Sequence, residues 1–102
     1  MNKYIYDYGQ NKYYMDIKVT HYVDNEKHLV INASGPSFSY GAVLSPNFKD
    51  GIPHIKMEDV DTIGIEDSKE VKVAIIQAIT TQRGKYGEEP VIIEDKKYNH
   101  PQ

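Results

Sequence analysis

From Lys12 to Val23 the chain alternates. Tyr13, Met15, Ile17, Val19 and Val23 interleave with Tyr14, Asp16, Lys18, Thr20 and Tyr22. A period of two predicts a strand with one buried face. Tyr4 to Tyr8 predicts a short strand before it, with Gly9-Gln10-Asn11 as the turn between them. Leu29, Ile31 and Ala33 alternate again after the turn Asp24-Asn25-Glu26-Lys27. A two-residue loop at Asn25-Glu26 would set Val23 against His28 and put Leu29 on the opposite face. An odd loop of about three residues, pairing Val23 or His21 with Leu29, keeps the apolar sets together and is the register expected. Phe38, Tyr40, Ala42 and Leu44 predict a third main strand. Ser45 to His54, with Pro46, Gly51 and Pro53, reads as a loop. Ile55 and Met57 suggest a short edge strand, and Asp59 to Asp67 an acidic connection.

The period changes at Ser68. Val71, Ala74, Ile75, Ala78 and Ile79 fall at helical spacing, which predicts a helix over Ser68 to Arg83. Asp67 with Glu70 three residues on has the form of a capping box, and Gly84 that of a C-terminal stop. Val73, Ile76 and Thr80 fall on the far side of this helix, which suggests either a helix sunk between the sheet and the C-terminal strand or a second apolar contact, for self-association or a partner. Val91 to Ile93 predicts a last short strand, entered through Pro90. Residues 1–94 form one expected domain and 95–102 a frayed tail. The expected fold is α+β: a small antiparallel, meander-like sheet with one main helix packed on one face.

Composition narrows the chemistry. At 102 residues the chain is of single-domain size, and the absence of cysteine removes disulfides, thiol nucleophiles and thiolate zinc sites. No apolar run approaches the length of a membrane span and no leader pattern opens the chain, so the expected compartment is the cytoplasm. Net charge is −3, and Arg83 is the sole arginine, which argues against phosphate and nucleic-acid recognition. Charge is uneven. Residues 1–57 hold six lysines against five carboxylates, whereas residues 58–102 hold six basic residues against ten carboxylates. The wealth of lysine, asparagine, isoleucine and tyrosine suggests an AT-rich bacterial genome or its phages.

Each candidate site has a plain structural alternative. His21, His28, His54 and His100 show no His-x-x-x-His spacing. In the expected register His21 and His28 lie on opposite faces, so no metal site and no cofactor is expected. Asp59 to Glu70 matches a calcium loop at Asp59, Asp61, Gly64, Asp67 and Glu70, but Ile63 stands where a ligand belongs and no helix enters the loop. A solvated acidic loop feeding the helix is the simpler reading. Gly35 to Gly41 is dense in glycine and serine, yet lacks G-x-S-x-G and the lysine of a phosphate loop. Tyr4, Tyr6 and Tyr8 share one side of a strand, as interface tyrosines or as ordinary half-buried rings.

No nucleophile–base pair stands out, so enzymatic activity is not expected. The expected function is that of a binding protein, a small phage or mobile-element inhibitor that engages a host macromolecule. Its partner-binding residues would be Tyr4, Tyr6, Tyr8, Phe48, Glu58, Asp59 and Asp61. A protein partner is expected, with self-association into a homo-oligomer, and no nucleic acid or membrane. The alternative is an oligomeric binder of a nucleotide-like or polar metabolite, using Ser37, Ser39, Tyr40 and Arg83.

Overall fold

In a computed structural model the structure describes residues 2–8 and 11–95, with side chains from Asp16 onward. Four strands run in the order β1 (Asn2–Tyr8), β2 (Asn11–Val23), β3 (Leu29–Gly35) and β4 (Phe38–Leu44), each antiparallel to its neighbour. The long strand β2 serves two partners: residues 11–17 pair with β1 and residues 18–23 with β3. Val23 pairs with Leu29, as the apolar sets require. The connecting loop is odd but has five residues, 24–28, rather than three. Asp24 N–H donates to His28 O (2.9 Å) and Lys27 N–H to Asp24 O (3.1 Å), while Lys27 takes φ 64°.

The segment 45–54, expected as a loop, forms a hairpin instead. Strand β5 (Asn47–Lys49) pairs antiparallel with β6 (Ile52–Ile55) across Asp50-Gly51. Both turn residues have positive φ, 54° and 79°, the backbone that a type I′ turn demands and that Asp-Gly favours. Strand β7 (Ile92–Ile93) joins β6 in parallel, making a second, three-stranded sheet. The suggested edge strand therefore ends at Ile55, and Met57–Asp59 forms a single 3-10 turn. Glu94 accepts from Lys49, and its carboxylate lies 3.3 Å from His54 Nδ1, which ties β5 and β6 to the end of β7.

Helix α1 (Ser68–Thr81) packs on β1 and β2. Its stripe of Val71, Ala74, Ile75, Ala78 and Ile79 is buried against Ile17, Val19, Leu29, Ile31 and Ala33 of the main sheet, with Ile55, Val60, Val91 and Ile93 completing the core. Two end signals act differently from expectation. Asp67 sits in the left-handed region (φ 55°, ψ 42°) and its side chain makes no cap hydrogen bond; a side-chain cap needs an extended N-cap backbone. The helix ends at Thr81, with Gln82 extended, so Gly84 is not the stop. A Cβ on Gly84 would lie 3.2 Å from His21 O, so this glycine allows close docking of the turn beyond α1 onto β2. There Lys85 N–H donates to His21 O at 2.7 Å. The far side of α1 divides between its two readings: Ile76 is 3% exposed and belongs to the core, Thr80 is half-buried, and Val73 is 41% exposed.

Candidate functional site

Between the 3-10 turn and α1 the chain holds an apolar side chain out into solvent. Ile63 is 88% exposed. It occupies the second position of a turn in which Ile65 N–H donates to Thr62 O (3.1 Å) and Gly64 takes φ 93°, the positive φ that a type II turn requires in its third position. Both flanks are fixed. Thr62 is buried and its hydroxyl donates to Ser68 O at 2.8 Å. Asp61 Oδ1 accepts Ile63 N–H at 3.0 Å, and Ile65 packs on the core.

Carboxylates surround this turn in sequence. Glu58, Asp59, Asp61, Glu66 and Asp67 are all exposed. Asp59 Oδ2 accepts Lys56 N–H at 2.9 Å, closing the 3-10 turn. Beside Ile63 opens a cavity of about 420 Å³, lined in part by Glu58, Asp61, Ile63, Lys69 and Lys72. Tyr40 of β4 relates this region to the main sheet, because the backbone and carboxylate of Asp61 both act on its phenol. Burial pushes the Tyr40 phenol above its ordinary pKa, so it stays neutral across the physiological range.

The expected partner-binding residues do not gather in one place. Glu58, Asp59 and Asp61 share the acidic segment. Phe48 lies apart on β5, half-buried, with Lys27 Nζ 5.8 Å above its ring. Tyr4, Tyr6 and Tyr8 stand opposite Met15, Tyr13 and Asn11 in the β1–β2 ladder, and their side chains lie outside the described residues. Ile63 was not among the expected residues. Its sequence signal was an isoleucine in place of a ligand in an acidic turn, next to the glycine that sets that turn.

The alternative ligand residues are divided as well. Ser39 and Tyr40 border a cavity of about 260 Å³ with Lys18, Thr20, Asn32 and Ser34. Ser37 is exposed in the β3–β4 turn. Arg83 is engaged within its own turn, donating to Gly87 O (3.1 Å) and Glu89 Oε1 (2.8 Å). The histidines remain separate: His21 is buried, His28 is on the β2–β3 loop, His54 faces Glu94, and His100 lies outside the described residues. Among the described residues the potential metal ligands that converge are Asp24, Glu26 and His28, not the carboxylates of 59–70. The chain matches no protein-family model, no curated protein and no solved structure.

Proposed function

We propose that this chain is a non-enzymatic binding protein that engages a basic surface of a protein partner through the acidic turn at 58–67. The observation that carries the reading is Ile63, an aliphatic side chain held out by a turn whose two ends are fixed. Exposing such a group costs solvation free energy that a binding contact recovers, and a fixed turn loses little conformational entropy on docking. Interfaces commonly place an apolar contact at the centre and charges at the rim; here Glu58 and Asp61 border the cavity beside Ile63, with Lys69 and Lys72, and Glu66 and Asp67 follow it in sequence, exposed. The partner accordingly offers an apolar pocket bordered by lysine or arginine. A small chain of this kind acts by occupying its partner, as a phage-borne or mobile-element inhibitor would in the cytoplasm of its host. Self-association through the outer edge of β4 belongs to the same proposal.

Affinity capture with the whole chain and with Ile63→Asp tests this. The change is at an exposed position, so both proteins should fold alike by circular dichroism. A prey held by the wild type should be lost from Ile63→Asp, and its association rate should fall as salt rises. Prey recovered equally by both baits, or rates indifferent to salt, would sink the reading.

A second reading rests on the cavity beside Ser39. Lys18, Thr20, Asn32 and Ser34 give it a cation, hydroxyls and an amide, a donor set suited to a polar metabolite. Native mass spectrometry of the purified chain would show a carried-over ligand, lost on Lys18→Ala, if this cavity is the working site.

A further inference from the structure

Three donor groups meet on the β2–β3 loop, apart from the acidic turn. Asp24, Glu26 and His28 each offer one ligand atom, and these atoms lie within 4.8 Å of one another. His28 Nδ1 stands 3.4 Å from Asp24 Oδ2. Two ligands bound at about 2.1 Å to a tetrahedral ion are roughly 3.4 Å apart. The aspartate and histidine thus already have the spacing of one edge of a zinc tetrahedron. Glu26 lies within reach of both, two residues from each.

The loop holds these groups in place before any ion arrives. Asp24 Oδ1 accepts the backbone N–H of Glu26 (2.9 Å) and of His28 (2.8 Å). These bonds orient the carboxylate and leave Oδ2 turned to the imidazole, the task that second-layer hydrogen bonds perform around metal ligands. The cation in the loop does not compete. Lys27 takes a left-handed backbone and carries its ammonium over the Phe48 ring at 5.8 Å.

We propose that Asp24, Glu26 and His28 form a binding site for one divalent transition-metal ion of the zinc class, with water completing the coordination. One imidazole nitrogen and two carboxylates favour borderline ions such as zinc, nickel or cobalt. Calcium takes six to eight oxygens and magnesium a near-octahedral oxygen shell, which this loop does not supply. Bound there, the ion clips the turn between β2 and β3 shut.

The probe is zinc alone, added to the full chain after treatment with a chelator. Calorimetry should show one ion bound per chain at neutral pH, with a rise in melting temperature, and no such response to calcium or magnesium. His28→Ala should lower zinc affinity by more than about tenfold. Asp24→Asn, whose amide oxygen can still accept the two backbone bonds, should do the same without unfolding the loop. His54→Ala should leave binding unchanged, and the imidazole protons of His28 should shift on titration. Absence of zinc binding by the wild type overturns the proposal. So does binding that His28→Ala leaves intact or that His54→Ala removes.

Discussion

His21 lies on the buried face of β2, 4% exposed, and among the described residues its Nε2 has no hydrogen-bond partner. Loss of water pushes its pKa below the usual histidine value, and attraction to Glu88 opposes this only in part. A folded-state pKa below that of the unfolded chain means that the unfolded chain takes up the proton first as pH falls. The stability due to neutral His21 is therefore complete above about pH 6.5 and is lost as pH drops from there through the lower folded value. Denaturant titrations at neutral and mildly acidic pH should show that loss, and His21→Leu should remove this part of the slope. An unchanged slope in the variant would assign the effect to another group. Gly84 acts next to it. Its Cβ would meet Glu88 Oε2 at 2.7 Å and His21 O at 3.2 Å. The carboxylate can swing away, but the strand carbonyl cannot move so freely. Gly84→Ala should cost about 1–3 kcal/mol in chemical denaturation. Neither role shows in the sequence. The alternation correctly put His21 on the apolar side of β2, but the turn that covers it comes from more than sixty positions further along the chain.

Helix α1 was legible from its period, because five buried residues at spacings of three and four leave little else to fit them. Ile75→Ala and Ile79→Ala should each cost about 2–5 kcal/mol, whereas Val73→Ala should stay within about 0.5 kcal/mol. Equal losses at Val73 and Ile75 would mean that the helix is rotated about its axis from the orientation described. Ile76→Glu should unfold the chain, since it would bury a charge without a partner. The N-terminus of the helix makes a different test. A side-chain cap at Asp67 would make Asp67→Gly mildly destabilising. With Asp67 left-handed and its side chain off the helix amides, Asp67→Gly should instead raise stability by up to about 1 kcal/mol. A thermal melt of the single variant decides the sign. The β5–β6 hairpin is the element that pattern reading missed. Its strands are only three and four residues long, too short for alternation to show, and its signal was the Asp-Gly pair alone.

The described residues have a radius of gyration of 13.1 Å, close to the roughly 13 Å expected of a compact domain of about 100 residues. The length of β2 needs no second copy to explain it, because β1 and β3 divide it between them. Strand β4 is one edge of the four-stranded sheet and among the described residues pairs with β3 alone. Its seven residues include no charge and no proline, two devices that ordinarily discourage edge-to-edge pairing. Concentration-dependent association is the expected result. Val43 is exposed on this strand, and Val43→Lys should hold the chain at its monomer mass of 11.7 kDa in sedimentation experiments. Equal association of the variant and the wild type would clear β4. Salt and Ile63 report on a separate surface, so loss of self-association in Val43→Lys should leave capture of the partner intact.

Local order was fixed by the sequence itself: period two across β2, β3 and β4, period near 3.6 across α1, and the α+β class that follows from them. Those features depend on neighbours within a few residues, and side-chain alternation records them directly. The candidate sites had no such record. Asp24, Glu26 and His28 converge because an odd loop with a left-handed Lys27 folds their side chains to one side. Ile63 stands out because Thr62 and Ile65 on either side are drawn inward. The parallel pairing of β6 with β7 joins segments nearly forty residues apart. In each case the deciding quantity was which face a residue presents after the chain has closed on itself, and only packing of the whole core sets that.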